Sequence, residues 1–147
     1  MTTLTELTGR TVVSRSSADP LGTLRTVVID GPRHAIVALQ IGKGRKSRFV
    51  ELRDLRAVGP DAIVVDDESL VHPPAGPAQE ATAKGRLDVL GATAFTSTGV
   101  ALGPVTDLQL DLDQGLISSV ITGESEIDGE AILGFGTFAL VVDVLEA

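Results

Sequence analysis

From Asp107 to Asp113 apolar and polar side chains alternate, with Leu108, Leu110 and Leu112 separated by Gln109 and Asp111. Successive side chains of a strand point to opposite faces, so this segment predicts a β-strand with one buried face and one wet face. Val27 and Ile29 repeat the pattern earlier in the chain. Further apolar, β-branched runs follow at Ala35 to Ile41, Arg48 to Val50, Ala62 to Val65, Leu116 to Ile121, Ala131 to Leu133 and Phe138 to Val144. Turn signals separate them: Asp19-Pro20, Asp30-Gly31-Pro32, Gly42 to Gly44, Asp113-Gln114-Gly115 and Asp128-Gly129. Leu52 to Arg56 is expected to add one helical turn, and no amphipathic helix lies between the strands. The pattern predicts an all-β protein built of small antiparallel barrels.

The strand pattern is written twice. Gly9-Arg10-Thr11-Val12-Val13, the turn Ser16 to Gly22 and the strand Thr23 to Asp30 reappear as Gly91 to Phe95, Ser97 to Gly103 and Pro104 to Asp111. Gly9 and Gly91 stand 82 positions apart, whereas Gly22 and Gly103, like Asp30 and Asp111, stand 81 apart. One residue is therefore missing from the second copy's first turn, where a change of length is easiest to absorb. A repeat of this kind predicts two related units, residues 1–71 and 86–147, joined by a Pro/Ala/Gly-rich segment 72–85 expected to be an extended linker. At about 60–70 residues each copy is marginal for an independent core, so the copies are expected to lean on one another or on a second chain.

The string Gly91, Gly99, Leu102-Gly103-Pro104-Val105-Thr106-Asp107-Leu108-Gln109-Leu110-Asp111 and Gly115-Leu116-Ile117 resembles the PRC-barrel family. The first copy matches through Gly9, Leu21-Gly22, Leu24, Val27, Ile29 and Asp30, and its stretches Phe49 to Leu55 and Asp61 to Val65 look like the family's closing strands. The copies depart from one another at Thr26 against Asp107, at Arg33-His34 against Gln114-Gly115, and after Phe135, where the second is shorter. The resemblance implies two tandem PRC-barrel-like modules used for assembly or docking. The family includes the cytoplasmic part of the photosynthetic reaction-centre H subunit and the C-terminal part of a ribosome maturation factor.

Composition narrows the chemistry. The 147 residues include no Cys, Trp or Tyr and four Phe, so the core is expected to be Val, Ile, Leu and Ala, with no thiol chemistry or Cys-based metal site. His34 and His72 are the only histidines, and neither has a second ligand at metal spacing. No serine lies in a nucleophile-elbow pattern, and Gly42 to Ser47 lacks the phosphate-loop spacing. The expectation is a protein that is not an enzyme, with no catalytic residue, cofactor or metal. The polar stretch Met1 to Arg10 and the lack of a long apolar run predict a cytoplasmic protein without a membrane span, compatible with a membrane-associated partner.

Charge then points to a surface. The net charge is −8, but residues 1–72 hold ten Lys/Arg against nine Asp/Glu while residues 73–147 hold two against eleven. The loop after Gly42 carries Lys43, Arg45, Lys46 and Arg48; its counterpart after Gly123 carries Glu124, Glu126, Asp128 and Glu130. Val28, Val37 and Ile41 of the first copy align with Gln109, Ser118 and Thr122 of the second, which suggests an apolar contact surface on the first copy. These eleven residues are the expected interface, with another protein or a second copy in a homodimer as partner. The alternative is an RNA- or ribosome-associated factor using Lys43 to Arg48, disfavoured by the acidic balance and the absence of Trp and Tyr.

Overall fold

The computed structural model describes residues 2–123 and 125–144. The chain is mostly strand. In order it forms β1 (Thr2–Thr3), α1 (Leu4–Leu7), β2 (Thr11–Ser14), β3 (Pro20–Asp30), β4 (Ala35–Ile41), β5 (Arg48–Glu51), β6 (Leu55–Val58) and β7 (Ala62–Val65). It continues with α2 (Gly76–Ala83), β8 (Thr93–Thr96), β9 (Ala101–Asp111), β10 (Leu116–Thr122), β11 (Ser125–Asp128), β12 (Ile132–Phe135) and β13 (Ala139–Val142). Short 3-10 turns sit at Gly44–Lys46, Leu52–Asp54, Glu68–Leu70 and Gly129–Ala131, the second of them within the helical turn expected after β5. No helix among the described residues is long and apolar enough to cross a membrane.

Contacts divide the chain into two compact units. One comprises Glu6–Val28 and Val37–Arg86. The other comprises the described residues of 1–5, 29–36 and 87–147, so the tip of the β3–β4 hairpin is counted with the second copy. Hydrogen bonding follows one open path, β12-β13-β8-β9-β10-β4-β3-β2-β7-β6, with β1, β5 and β11 branching from it. The path continues between the copies' strands because Ala35, at the hairpin tip, pairs with Leu116.

In the first unit β2 lies antiparallel to β3, with Thr11 opposite Thr23, and parallel to β7, with Thr11 opposite Ala62. A register shift between Val12 and Val13 bends the first pair. In the second unit β8 lies antiparallel to β9, with Thr93 opposite Pro104, and parallel to β13, with Thr93 opposite Ala139. The shift recurs between Ala94 and Phe95. The one-residue difference between the copies thus falls at a bulge-and-turn in both, where an added residue leaves the downstream register intact.

Alternation sets the cores. Val12, Leu24, Ile63 and Val65 are buried in the first unit, and Ala94, Leu108, Leu110, Val120 and Leu140 in the second. A cluster of Val28, Ala38 and Phe49 has Ala83 of α2 packed against it. The segment expected to be an extended linker therefore carries a helix, and the departure has local causes. Its sequence GPAQEATA holds three alanines, and its one proline lies in the first turn, where a missing N–H leaves no bond unmade. A Schellman pair closes it, with Gly85 N–H donating to Thr82 C=O and Arg86 N–H to Ala81 C=O.

Candidate functional site

The connection from β4 to β5 presents the four cations. Lys43, Arg45, Lys46 and Arg48 are all exposed, and among the described residues none has an ion pair or a side-chain hydrogen bond. The base of this hairpin is anchored. Gln40, fully buried in β4, donates through Nε2 to Ser47 Oγ at 2.8 Å, and Arg25 Nη1 donates to Gln40 Oε1 at 3.1 Å. Ser47 N–H closes the turn onto Gly44 C=O at 3.1 Å. A buried amide satisfied on both sides is costly to disrupt, so the tip stands on a stiff base.

In the second unit Glu126, Asp128 and Glu130 are likewise exposed; Glu124 lies outside the described residues. Asp128 Oδ1 accepts the Glu130 N–H at 2.9 Å and caps the turn Gly129–Ala131. That turn lies directly on β10: a Cβ on Gly129 would sit 1.8 Å from the carbonyl oxygen of Ile117. Only glycine lets the two backbones approach this closely.

The close approach shapes a cleft of about 280 Å³ lined by His34, Asp111, Leu116, Ile117, Ser118, Asp128 and Glu130. Asp111 Oδ1 accepts the Gln114 N–H at 3.2 Å, which places the carboxylate at the rim of its turn. His34 has φ +42, and its Nδ1 is buried without a hydrogen-bond partner among the described residues. The cleft was not legible in the sequence, because its lining comes from segments more than 75 positions apart. The available signal was that a histidine occupies the place of Gly115 in the repeat.

The three aliphatic positions divide. Val28 and Ile41 are each 2% exposed, and Val37 is 42% exposed. Phe49, Ala38 and Ala83, all of the same unit, account for the burial of Val28. Its counterpart Gln109 is held instead by the Ser119 hydroxyl, which donates to Oε1 at 3.0 Å. Ser118, the counterpart of Val37, lines the cleft.

His72 serves α2. Its Nε2 lies 3.0 Å from Glu51 Oε2 and its Nδ1 2.7 Å from Pro73 O. The Gln79 side chain donates to the same Glu51 oxygen at 2.9 Å and accepts the Ala75 N–H at 2.9 Å. These bonds tie the start of α2 to the end of β5.

No curated protein matches the chain. Residues 1–71 match the family model of the PRC-barrel domain, so the chain carries a PRC-barrel domain over its first copy.

Proposed function

We propose that the chain is a non-catalytic assembly protein made of two PRC-barrel-like modules, with the hairpin Lys43 to Arg48 as its docking element for an acidic surface on a protein. The observation that carries this reading is the exposed, unpaired set of four cations on a braced tip. Cations with no partner of their own contribute nothing to the fold's ion pairing and are free to steer and orient an encounter. Their salt-bridge strength at the rim of a contact is small, about 0–1 kcal/mol each, so apolar contacts must supply most of the affinity. Val37 of the same unit, 42% exposed, suits that role.

The test is affinity capture from the source cell with the full-length chain and with K43E/R45E/K46E side by side, before and after ribonuclease. The expected result is a protein identified on the wild type after ribonuclease and lost from the variant. Capture of ribosomes or RNA that ends with ribonuclease would move the function to an RNA-associated factor. Equal capture by both chains would remove the hairpin from the reading.

A further inference from the structure

We infer that the second unit carries a docking face of its own, built on the Phe95–Phe138 pair, for a short extended segment of another protein in which Lys or Arg flanks an apolar anchor. Phe138 is 84% exposed and stacks on Phe95, with ring centroids 6.1 Å apart and planes at 8°. The pair is not part of the unit's core. Buried Ala94, Leu140 and Val142 point to the opposite face of the same strands. The face lies outside the Lys43 to Arg48 hairpin and does not depend on the role proposed for it.

Register sets the row. Val141 of β13 lies beside Phe95, Gly134 of β12 beside Val141, and Ala101 of β9 on the other side of Phe95. Gly134 has nothing within 4 Å of the place where a Cβ would stand. Leu133, the extra residue of the β12 bulge, is 48% exposed next to it. The row therefore holds an open position between Leu133 and Val141, with the aromatic pair one strand further on. Four neighbouring strands span roughly 14 Å, which an extended segment of about four or five residues crosses.

Charge selects the occupant. Residues 87–147 hold ten Asp/Glu and no Lys, Arg or His. Asp143 continues the Val141 row on the same face; it is exposed, and the Ser97 hydroxyl donates to its Oδ1 at 3.5 Å. The Asp143 N–H donates to Ala131 C=O at 2.7 Å, which sets the turn bearing exposed Glu130 beside it. An apolar row bordered by carboxylates is complementary to a segment whose anchor sits between cations. Nucleic acid and anionic lipid are disfavoured, because their phosphates need Lys or Arg on the protein. A second copy would bring the same carboxylates against this face in a symmetric pair. The chain's own basic hairpin, Lys43 to Arg48, has no apolar side chain to serve as the anchor.

Selection of a displayed random peptide library on the full-length chain, counter-selected on Phe138→Asp, tests this. Phe138 is exposed, so the variant should keep the far-ultraviolet circular dichroism spectrum of the wild type. Gly134→Leu is the second variant, since it fills the open position on backbone outside the left-handed region. The enriched peptides are expected to share an aromatic or aliphatic residue flanked by Lys or Arg. The leading peptide, made synthetically, should bind F138D and G134L at least about tenfold more weakly than the wild type. Asp143→Asn should weaken it by up to about fivefold, and added salt should weaken it on the wild type. K43E/R45E/K46E should bind it as the wild type does. The inference is overturned by a selection that enriches nothing on the wild type over F138D, or by enriched peptides that lack cations. Binding that survives in F138D or G134L, or fails in K43E/R45E/K46E, also overturns it. So does a wild-type dimer in sedimentation that F138D dissolves, which would give the face to a second copy.

Discussion

His34 occupies, in the turn after β3, the left-handed position that Gly115 fills in the turn after β9, with φ +42 and +69. Each stands four residues beyond an aspartate whose Oδ1 accepts a turn N–H, from Arg33 to Asp30 at 3.4 Å and from Gln114 to Asp111 at 3.2 Å. The two positions also exchange reciprocal bonds. Ile36 N–H donates to Gly115 C=O at 2.8 Å, and Ile117 N–H donates to His34 C=O at 2.9 Å. One backbone solution thus serves both turns, and the first adds an imidazole to the cleft lining.

A side chain in the left-handed region costs about 1–2 kcal/mol, which glycine avoids while gaining some entropy in the unfolded chain. His34→Gly is therefore expected to stabilise the protein by about 0.5–1 kcal/mol. Urea denaturation measures this, and a loss of stability instead would show that the imidazole supports the fold.

Gly129→Ala forces backbone apart, since the new Cβ would meet the Ile117 carbonyl. A destabilisation of about 3 kcal/mol or more is expected. Gly44→Ala is the comparison: nothing lies within 4 Å of its Cβ, but φ is +65, so about 1 kcal/mol is expected. Similar melting temperatures for the two variants would contradict the close packing of the Gly129 turn on β10.

Val28 and Val37 are expected to respond oppositely to aspartate. Val28→Asp places a charge beside Phe49 and Ala38 and should leave the chain unfolded at 25 °C. Val37→Asp, on an exposed side chain, should change stability by no more than about 0.5 kcal/mol. Circular dichroism separates the two, and a folded Val28→Asp chain would remove Val28 from the core.

Glu51→Ala deprives both His72 and Gln79 of an acceptor, and Gln79 is only 6% exposed. Leaving that amide unsatisfied is expected to destabilise the protein by about 1–3 kcal/mol. Amide hydrogen exchange should show the loss first in Gly76–Ala83, before β5 and β4. Uniform loss across the unit would mean that α2 does not depend on this tie.

Asp67 gives the pH dependence. Hydrogen bonds from the Ser69 side chain, then the Ser16 side chain, hold its carboxyl below the usual value of 3.8. The folded pKa is depressed, so the stability it brings is present above the unfolded value and is lost as pH falls through the folded one. In S69A/S16A the Asp67 titration, followed by carboxyl carbon chemical shift, should move up toward 3.8. An unmoved midpoint would assign the depression to other groups.

The strands were legible because alternation and turn residues are local signals. Leu108 and Leu110 stand buried as their spacing requires, and the spacing change from 82 to 81 falls at a bulge-and-turn present in both copies. Helix α2 was illegible because three prolines near its start read as a linker, while the groups that hold it, Glu51 and the Val28 cluster, lie far back in the chain. The basic tip could be read from charge alone. The cleft could not, since His34 and Glu130 meet only through the pairing of Ala35 with Leu116.

That pairing gives the chain a clock. Its two members are 81 positions apart, and the unit made of Glu6–Val28 and Val37–Arg86 has all its residues long before Leu116 is synthesised. At about 5–20 residues per second the hairpin tip leaves the ribosome roughly 4–16 s ahead of its mate. During that interval the backbone groups of His34 and Ile36 form an open edge, able to take the equivalent strand of a neighbouring nascent chain. Translation speed and the crowding of polysomes therefore bear on whether this fold closes within one chain or across two.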